Sequence, residues 1–282
     1  MRTYPEYKDS GVEWIGEIPK GWKSKKLKYL FDQNRNQINS DELNNNDVVH
    51  YSIPNVQEYG TGRIENGTDI QSNKFILEKD ELILSKLNPR KKTICITKQE
   101  DIISVGSTEF ICMSPKGGDV ETKFFYYIFK TDEFTDDLDS RVESVTRSHQ
   151  RIQPGEFLDI LCWFPPLSEQ KQISDYLDRK TQQIDDLIEK TERKIELLKE
   201  QRSSLINQCV TKGLDLNVEM KDSGVEWIGE IPKEWKIVKT SHLCKQMVSG
   251  PFGSSLKKEV YVKSGYKVYG QEQVIRDDLS YG

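Results

Sequence analysis

Three short stretches carry the side chains through which this sequence could act on another molecule. Ser85-Lys86-Leu87-Asn88-Pro89-Arg90-Lys91-Lys92 holds four cations within seven residues, at a turn that follows a strand-like run. Arg141 and then Arg147-Ser148-His149-Gln150-Arg151 interleave cations with imidazole and amide groups. Asn55-Val56-Gln57-Glu58-Tyr59-Gly60-Thr61-Gly62-Arg63 reads as a loop of similar chemistry with an aromatic ring added. Arg and Lys neutralise phosphates, and Arg, Lys, Asn and Gln pair with base edges, so this set suits a nucleic-acid duplex. The candidate contacts are Asn55, Gln57, Tyr59, Arg63, Lys86, Asn88, Arg90, Lys91, Lys92, Arg147, His149 and Arg151. The plain alternative for each stretch is a solvated polar loop.

Catalytic patterns are missing. His50, His149 and His242 have no HExxH spacing, and no GxGxxG or GxxxxGK[ST] cradle for a nucleotide occurs. Asp80-Glu81 followed by Lys86 has the wrong spacing for a nuclease carboxylate–lysine set, and a strand edge with flanking charges explains it better. Phe164-Pro165-Pro166-Leu167 lacks the Asn or Asp and the final aromatic residue of an adenine-methyltransferase motif. Cys95, Cys112, Cys162, Cys209 and Cys244 form no CxxC pair. The expectation is a chain with no catalytic residues, metal or cofactor of its own, and with reduced thiols.

Of the 282 residues 31% are charged, and no run of eighteen apolar residues occurs. Met1-Arg2-Thr3-Tyr4-Pro5 offers no signal peptide, so a cytoplasmic protein without a membrane segment is expected. The formal net charge is −5. Residues 1–160 hold 22 Lys+Arg against 27 Asp+Glu, so that region carries all of it. An acidic balance argues against a generic polyanion binder, and a local basic face would have to bind any nucleic acid.

Several elements must position these clusters. Residues 1–30 form a strap in which Trp14 and Trp22 flank Ile18-Pro19 and anchor by packing. Residues 31–47 are Asn-rich and read as a loop. Residues 48–56, 75–85, 93–97 and 109–113 have strand character, with turns at Gly60-Thr61-Gly62 and Asn66-Gly67. Residues 124–134 read as one aromatic-rich core helix. Short strands mixed with helices give an α+β domain.

From Phe164-Pro165-Pro166-Leu167-Ser168-Glu169-Gln170 the chain runs without Gly or Pro to Gly213. The prolines stop a preceding strand, Ser168 can cap a helix, and Gly213 can end it. Leu177, Ile184, Leu198 and Leu205 form one row at heptad spacing, and Ile188, Ile195 and Cys209 form the other. That seam predicts a helix roughly 65 Å long that needs a partner helix.

The helix lies between two copies of one motif. Lys8-Asp9-Ser10-Gly11-Val12-Glu13-Trp14-Ile15-Gly16-Glu17-Ile18-Pro19-Lys20 returns unchanged as residues 221–233. The match extends through Trp22 and Lys23 against Trp235 and Lys236, with Gly21 replaced by Glu234. A repeat at this separation marks a duplicated unit. The expected organisation is a first domain over 1–163, a long helix over 164–213, and the start of a second domain over 214–282.

Together these pieces resemble the specificity subunit of type I restriction–modification systems. The likeness rests on the repeated motif and on Asp80-Glu81-Leu82-Ile83-Leu84-Ser85-Lys86-Leu87-Asn88-Pro89. It also rests on the proline–Glu-Gln junction leading into Ile173-Ser174-Asp175-Tyr176-Leu177-Asp178. The resemblance implies target-recognition domains that each read half of a split double-stranded DNA site, with helices packed as an antiparallel coiled coil between them. It implies two methyltransferase subunits docked on that core and restriction subunits joining it. S-adenosylmethionine, ATP and Mg chemistry would then belong to those partners.

About fifty residues follow the second motif, and they resemble only the opening of a second recognition domain, expected to be poorly ordered from about Met247. The seam residues Leu177, Ile184, Ile188, Ile195, Leu198 and Leu205 thus lack an intrachain partner helix in this sequence. The expectation is a chain truncated within its second recognition domain, or a half-subunit whose helices pair between two copies. A rival reading is a coiled-coil adaptor that does not bind DNA. A fused restriction–methylation enzyme is a third, for which the sequence supplies few residues.

Overall fold

The computed structural model describes residues 4–12, 15–44, 46–98, 100–142, 150–215, 217–246 and 275. Trp14, Arg147, His149 and the tail from Met247, Ile275 apart, lie outside the described residues. The chain divides into two compact units, residues 1–192 and 193–282.

The first unit opens with a hairpin, β1 (Tyr7–Asp9) and β2 (Glu17–Pro19), followed by β3 (Lys23–Lys26). Then come β4 (Phe31–Asn34), β5 (Gln37–Ile38), the short α1 (Ser40–Leu43) and β6 (Asp47–Tyr51). Helix α2 (Ile53–Tyr59) leads to β7 (Arg63–Asn66), β8 (Lys74–Leu77), β9 (Leu82–Ser85) and β10 (Ile94–Ile96). After β11 (Ser104–Ser107) and β12 (Phe110–Pro115) come α3 (Thr122–Phe129), α4 (Asp132–Ser140), α5 (Pro154–Leu158) and β13 (Leu161–Phe164). Helix α6 (Leu167–Lys212) is 46 residues long.

Two sheets and a helical layer build the core. The antiparallel order β10-β9-β12-β4 forms one sheet. The order β5-β8-β11-β6-β7 forms the other, where β11 runs parallel to β6. Side chains alternate across a strand, so the four-stranded sheet can fill a core on each face. Leu82, Leu84, Ile111, Met113 and Ile94 point into the aromatic core with Phe124, Phe125, Phe129, Phe134, Phe157 and Phe164. Ile83, Phe110, Cys112 and Cys95 point the other way, against Val49, Tyr51, Phe75 and Leu77 of the second sheet. Strands covered on both faces read as continuous apolar runs, which is why β9 and β12 stand out in the sequence. Burial pushes the thiol of Cys95 up to about 12 and raises those of Cys112 and Cys162 too, so they pack as protonated apolar groups.

The mixed α+β class is as expected, while several boundaries differ. The expected strand over 48–56 ends at Tyr51, because the Ser52 hydroxyl accepts from the Asn55 N–H at 3.1 Å and caps α2, with Pro54 in its first turn. The Asn-rich stretch 31–47 is β4, β5 and α1 rather than a loop. The single helix expected over 124–134 is two, since Thr131 caps α4 by accepting from the Phe134 N–H at 3.3 Å.

The long helix forms as the heptad pattern predicts, starting at Leu167 with Ser168 inside its first turn rather than capping it. The buried Gln170 anchors that start. Its amide donates to the carbonyls of Asp119 and Pro165, both at 2.9 Å, and its carbonyl accepts from the Glu121 N–H at 2.9 Å. Two turns later Asp178 accepts from Lys123 Nζ at 2.6 Å and from the Tyr127 hydroxyl at 2.7 Å, which ties α6 to α3.

Partial burial alone would raise the Asp178 carboxyl, but the bonds from Lys123 and Tyr127 outweigh it and hold the group below its usual range. Its contribution to stability is present above the unfolded carboxylate value of about 3.9 and fades as pH falls through the lower folded value. Asp178→Asn is expected to cost about 0.5 kcal/mol at pH 7, a small figure because both charges meet solvent. The urea midpoints of variant and wild type should converge as the pH drops below about 3.9.

The second unit includes the rest of α6 and the hairpin β14 (Met220–Asp222) with β15 (Glu230–Pro232), then the short α7 (Thr240–Leu243). Along the helix Ile184, Ile188, Ile195, Leu198 and Leu205 are about half exposed, so the predicted seam meets solvent. Leu177 is half-buried. Among the described residues no helix is long and apolar enough to cross a membrane.

Candidate nucleic-acid interface

The basic turn after β9 is a strained one-turn 3-10 helix, Pro89–Lys91. Asn88 and Lys92 on either side of it have φ of 48° and 46°. Asn tolerates that region, whereas Lys does so only at a cost of about 1–3 kcal/mol that its surroundings must offset. The turn is closed by the Ser85 N–H donating to the Thr93 carbonyl at 2.9 Å and the Lys92 N–H to the Pro89 carbonyl at 2.9 Å. Pro89 is buried beneath it, and Arg90 and Lys91 face outward.

The fold brings the second cluster beside the first. Leu87 bridges Arg151 in antiparallel fashion. The Asn88 N–H donates to the Gln150 carbonyl at 3.0 Å, and the Ile152 N–H to the Lys86 carbonyl at 2.9 Å. On the other flank, Gln57 of α2 donates its amide to the Thr93 hydroxyl at 2.8 Å. Lys86, Asn88, Arg90, Lys91, Lys92, Arg151 and Gln57 thus belong to one neighbourhood. The cluster over 55–63 is a helix and a strand start rather than a loop, and its members divide. Asn55 donates to the His50 carbonyl at 3.0 Å and to Glu65 Oε1 at 2.7 Å, so its amide is committed inside the fold. Arg63 lies over the Tyr59 ring at 4.4 Å, leaving both on the surface.

Carboxylates that the sequence reading did not single out hold most of these cations. Arg90 pairs with Asp139 and Lys92 with Asp132, both on α4. Arg151 meets Glu109 at 3.0 Å. Lys86 is half-buried, and desolvation lowers its pKa while the nearby Glu109 opposes that. The Lys91 ammonium pairs with no described residue. The acidic run Asp132-Glu133-Phe134-Thr135-Asp136-Asp137-Leu138-Asp139 was the available signal for these partners. The result is a ridge of five cations against three carboxylates. Among the described residues no group of three or more His, Cys, Asp and Glu gathers to hold a metal ion.

The profile of the type I restriction modification DNA specificity domain matches residues 19–197, a span that contains the whole ridge. The chain belongs to that family. The DNA specificity domain of this chain has relatives in Methanocaldococcus jannaschii. A protein assigned as the MjaX type I restriction enzyme specificity subunit is 23% identical over 236 residues, covering 79% of this chain and 53% of the relative. The MjaVIII type I restriction enzyme specificity subunit is 25% identical over 198 residues, covering 70% of this chain and 42% of the relative. The chain therefore spans about half the length of these relatives. In fold it is similar to the HsdS subunit from Thermoanaerobacter tengcongensis, with a TM-score of 0.53 at 16% identity over 72% of this chain and 53% of that one. A structure of a type I R-M system gives the same TM-score and identity over 74% of this chain and 49% of that one.

Proposed function

We propose that this chain is the DNA-reading component of a type I restriction–modification complex, with no catalytic residues of its own. The observation that carries this reading is the cationic ridge inside the span matched to the DNA specificity domain. In this proposal the first recognition domain covers 1–163 and reads one half-site through Lys86, Asn88, Arg90, Lys91, Lys92, Arg151 and Gln57. Tyr59 and Arg63 extend the ridge, while Asn55 supports α2 from inside. Arg147 and His149 are retained as contacts on sequence grounds alone. Residues 164–213 form a spacer helix, and 214–282 begin a second recognition domain. The chain directs methyltransferase and restriction subunits that bring S-adenosylmethionine, ATP and Mg, and it works in the cytoplasm.

Titrating labelled duplex DNA with the purified chain at several salt concentrations tests the reading. Phosphate contacts release counterions, so log K should fall linearly with log salt. Flat or absent binding would favour the coiled-coil adaptor instead. The exposed seam from Ile184 to Leu205 supports a second reading, a homodimer whose helices pair antiparallel about a twofold axis and read a palindromic split site. Sedimentation should then give a mass near twice 32.8 kDa, which Ile188→Lys and Ile195→Lys together should return to the monomer value.

A further inference from the structure

The solvent-facing seam of α6 is interrupted in each of its two rows. Ile188, Ile195, Arg202 and Cys209 form one row, and Ile184, Thr191, Leu198 and Leu205 the other, each at heptad spacing. All eight lie on one helix, and the aliphatic members are about half exposed. Arg202 and Thr191 therefore stand where a coiled coil places its core. At three and four residues from Arg202, where side chains of a helix meet, are Leu198, Lys199, Leu205 and Ile206, so no carboxylate stands beside it on its own helix. The Thr191 hydroxyl donates to the Leu187 carbonyl at 2.7 Å, which leaves its oxygen able to accept.

In an antiparallel pair of helices, one row of each packs against the other row of its partner. Two copies of α6 then have one heptad register that matches apolar to apolar throughout. With the twofold axis between Glu196 and Leu197, Ile195 meets Leu198 of the second copy, Ile188 meets Leu205, and Cys209 meets Ile184. The same register sets Arg202 against Thr191 of the second copy, so both interruptions fall in one layer. On the flank Glu192 faces Lys199 of the second copy, and the symmetry makes that pair twice. A slip of one heptad either way sets Arg202 against Ile184 or Leu198. It also brings Glu192 onto Glu192, or Lys199 onto Lys199. A parallel pair in register stacks Arg202 on Arg202.

We infer that α6 pairs with α6 of a second copy in this register, and that Arg202 and Thr191 select it. The Arg202 stem lies along the seam, and its guanidinium donates to the Thr191 hydroxyl of the other copy. A polar residue in an otherwise apolar seam costs stability and fixes register and partner orientation. The occupant is a second copy because the stripe supplies both the apolar match and the charge match to itself. This pairing rests on the homodimer of the second reading and names which residues meet within it.

Ile184→Cys tests the register, since Cys209 of the second copy is its expected neighbour. On one helix the two positions lie about 37 Å apart, so a link between them joins two chains. The exposed thiol of Cys244 is removed with Cys244→Ser, and Cys95, Cys112 and Cys162 are buried. Mild oxidation of the full chain should then give a covalent dimer whose peptide map joins position 184 to Cys209, while Cys244→Ser alone stays unlinked. Sedimentation gives a second readout. Thr191→Glu, facing Arg202, should tighten the dimer about fivefold, a gain lost when Arg202→Leu is added. A dimer that links through Cys209 of both copies, or does not link, overturns the register, as does a Thr191→Glu dimer weaker than wild type. A wild-type mass near 32.8 kDa overturns the homodimer reading and the register with it.

Discussion

Replacing Arg90, Lys91 and Lys92 together with alanine will weaken binding to duplex DNA by about 100-fold at low salt and reduce the salt slope by about 3, the value for three lost phosphate contacts. Fluorescence anisotropy across a salt series reads both quantities. The three residues occupy a turn fixed at both ends by left-handed backbone, so their substitution removes charge without moving the strands beneath. The carboxylates of α4 give a control of opposite sign. Arg90 and Lys92 are now held by Asp139 and Asp132, which a phosphate must displace. Asp132→Asn with Asp139→Asn should therefore tighten binding several-fold and steepen the salt slope. If the triple variant kept wild-type affinity, the ridge would not be the interface, and readout would have to be sought elsewhere in the first unit.

Gln170→Ala is expected to cost about 3 kcal/mol of unfolding free energy, the larger of the two stability effects considered. The side chain is fully buried, and its amide satisfies the buried Pro165 carbonyl together with the partly buried Asp119 carbonyl and Glu121 N–H. Truncation leaves one buried and two partly buried polar groups unpaired, each worth about 1–3 kcal/mol at full burial, with part of the loss at the latter two recovered by water. Chemical denaturation followed by tryptophan fluorescence measures it, and Trp22, packed on Phe124, reports the same region. A loss below about 1 kcal/mol would mean that water or a neighbour replaces the amide, and that the junction is less strictly built than its geometry indicates.

The same glutamine illustrates what sequence alone made legible. The junction Pro165-Pro166-Leu167-Ser168-Glu169-Gln170 stood out, and so did the heptads beyond it, because a helix repeats its pattern locally. The function of Gln170 did not, since its partners Asp119 and Glu121 lie some fifty residues earlier in the chain. The start of α2 was readable in principle: Ser52 followed by Ile53-Pro54 is a cap with proline in the first turn, but the apolar run from Val48 masked it. Thr131 gave the same kind of signal within an aromatic stretch. Pairings such as Phe31–Asn34 with Cys112–Pro115 were out of reach, because register between distant strands leaves no local mark. At the ridge the cations were evident from composition. The carboxylates that hold them were not, since only the packing of α4 against the turn brings Asp132 and Asp139 to Lys92 and Arg90.

One pairing has a bearing on how the molecule is made. Among the described strands β3, Lys23–Lys26, pairs with β13 alone, Leu161–Phe164, so an early strand of the first unit and its last strand close on each other. During synthesis β3 leaves the ribosome long before its partner exists, and contacts of such separation make for slow closure. Throughout that interval β3 is an open edge, the kind of template on which nascent chains aggregate. Its sequence, Lys-Ser-Lys-Lys, is a charged one that repels other copies of itself. The apolar strand, Leu-Cys-Trp-Phe, is the one that arrives last, when its cover is already waiting. The order of the two strands along the chain thus protects the protein at the stage when it is least able to protect itself.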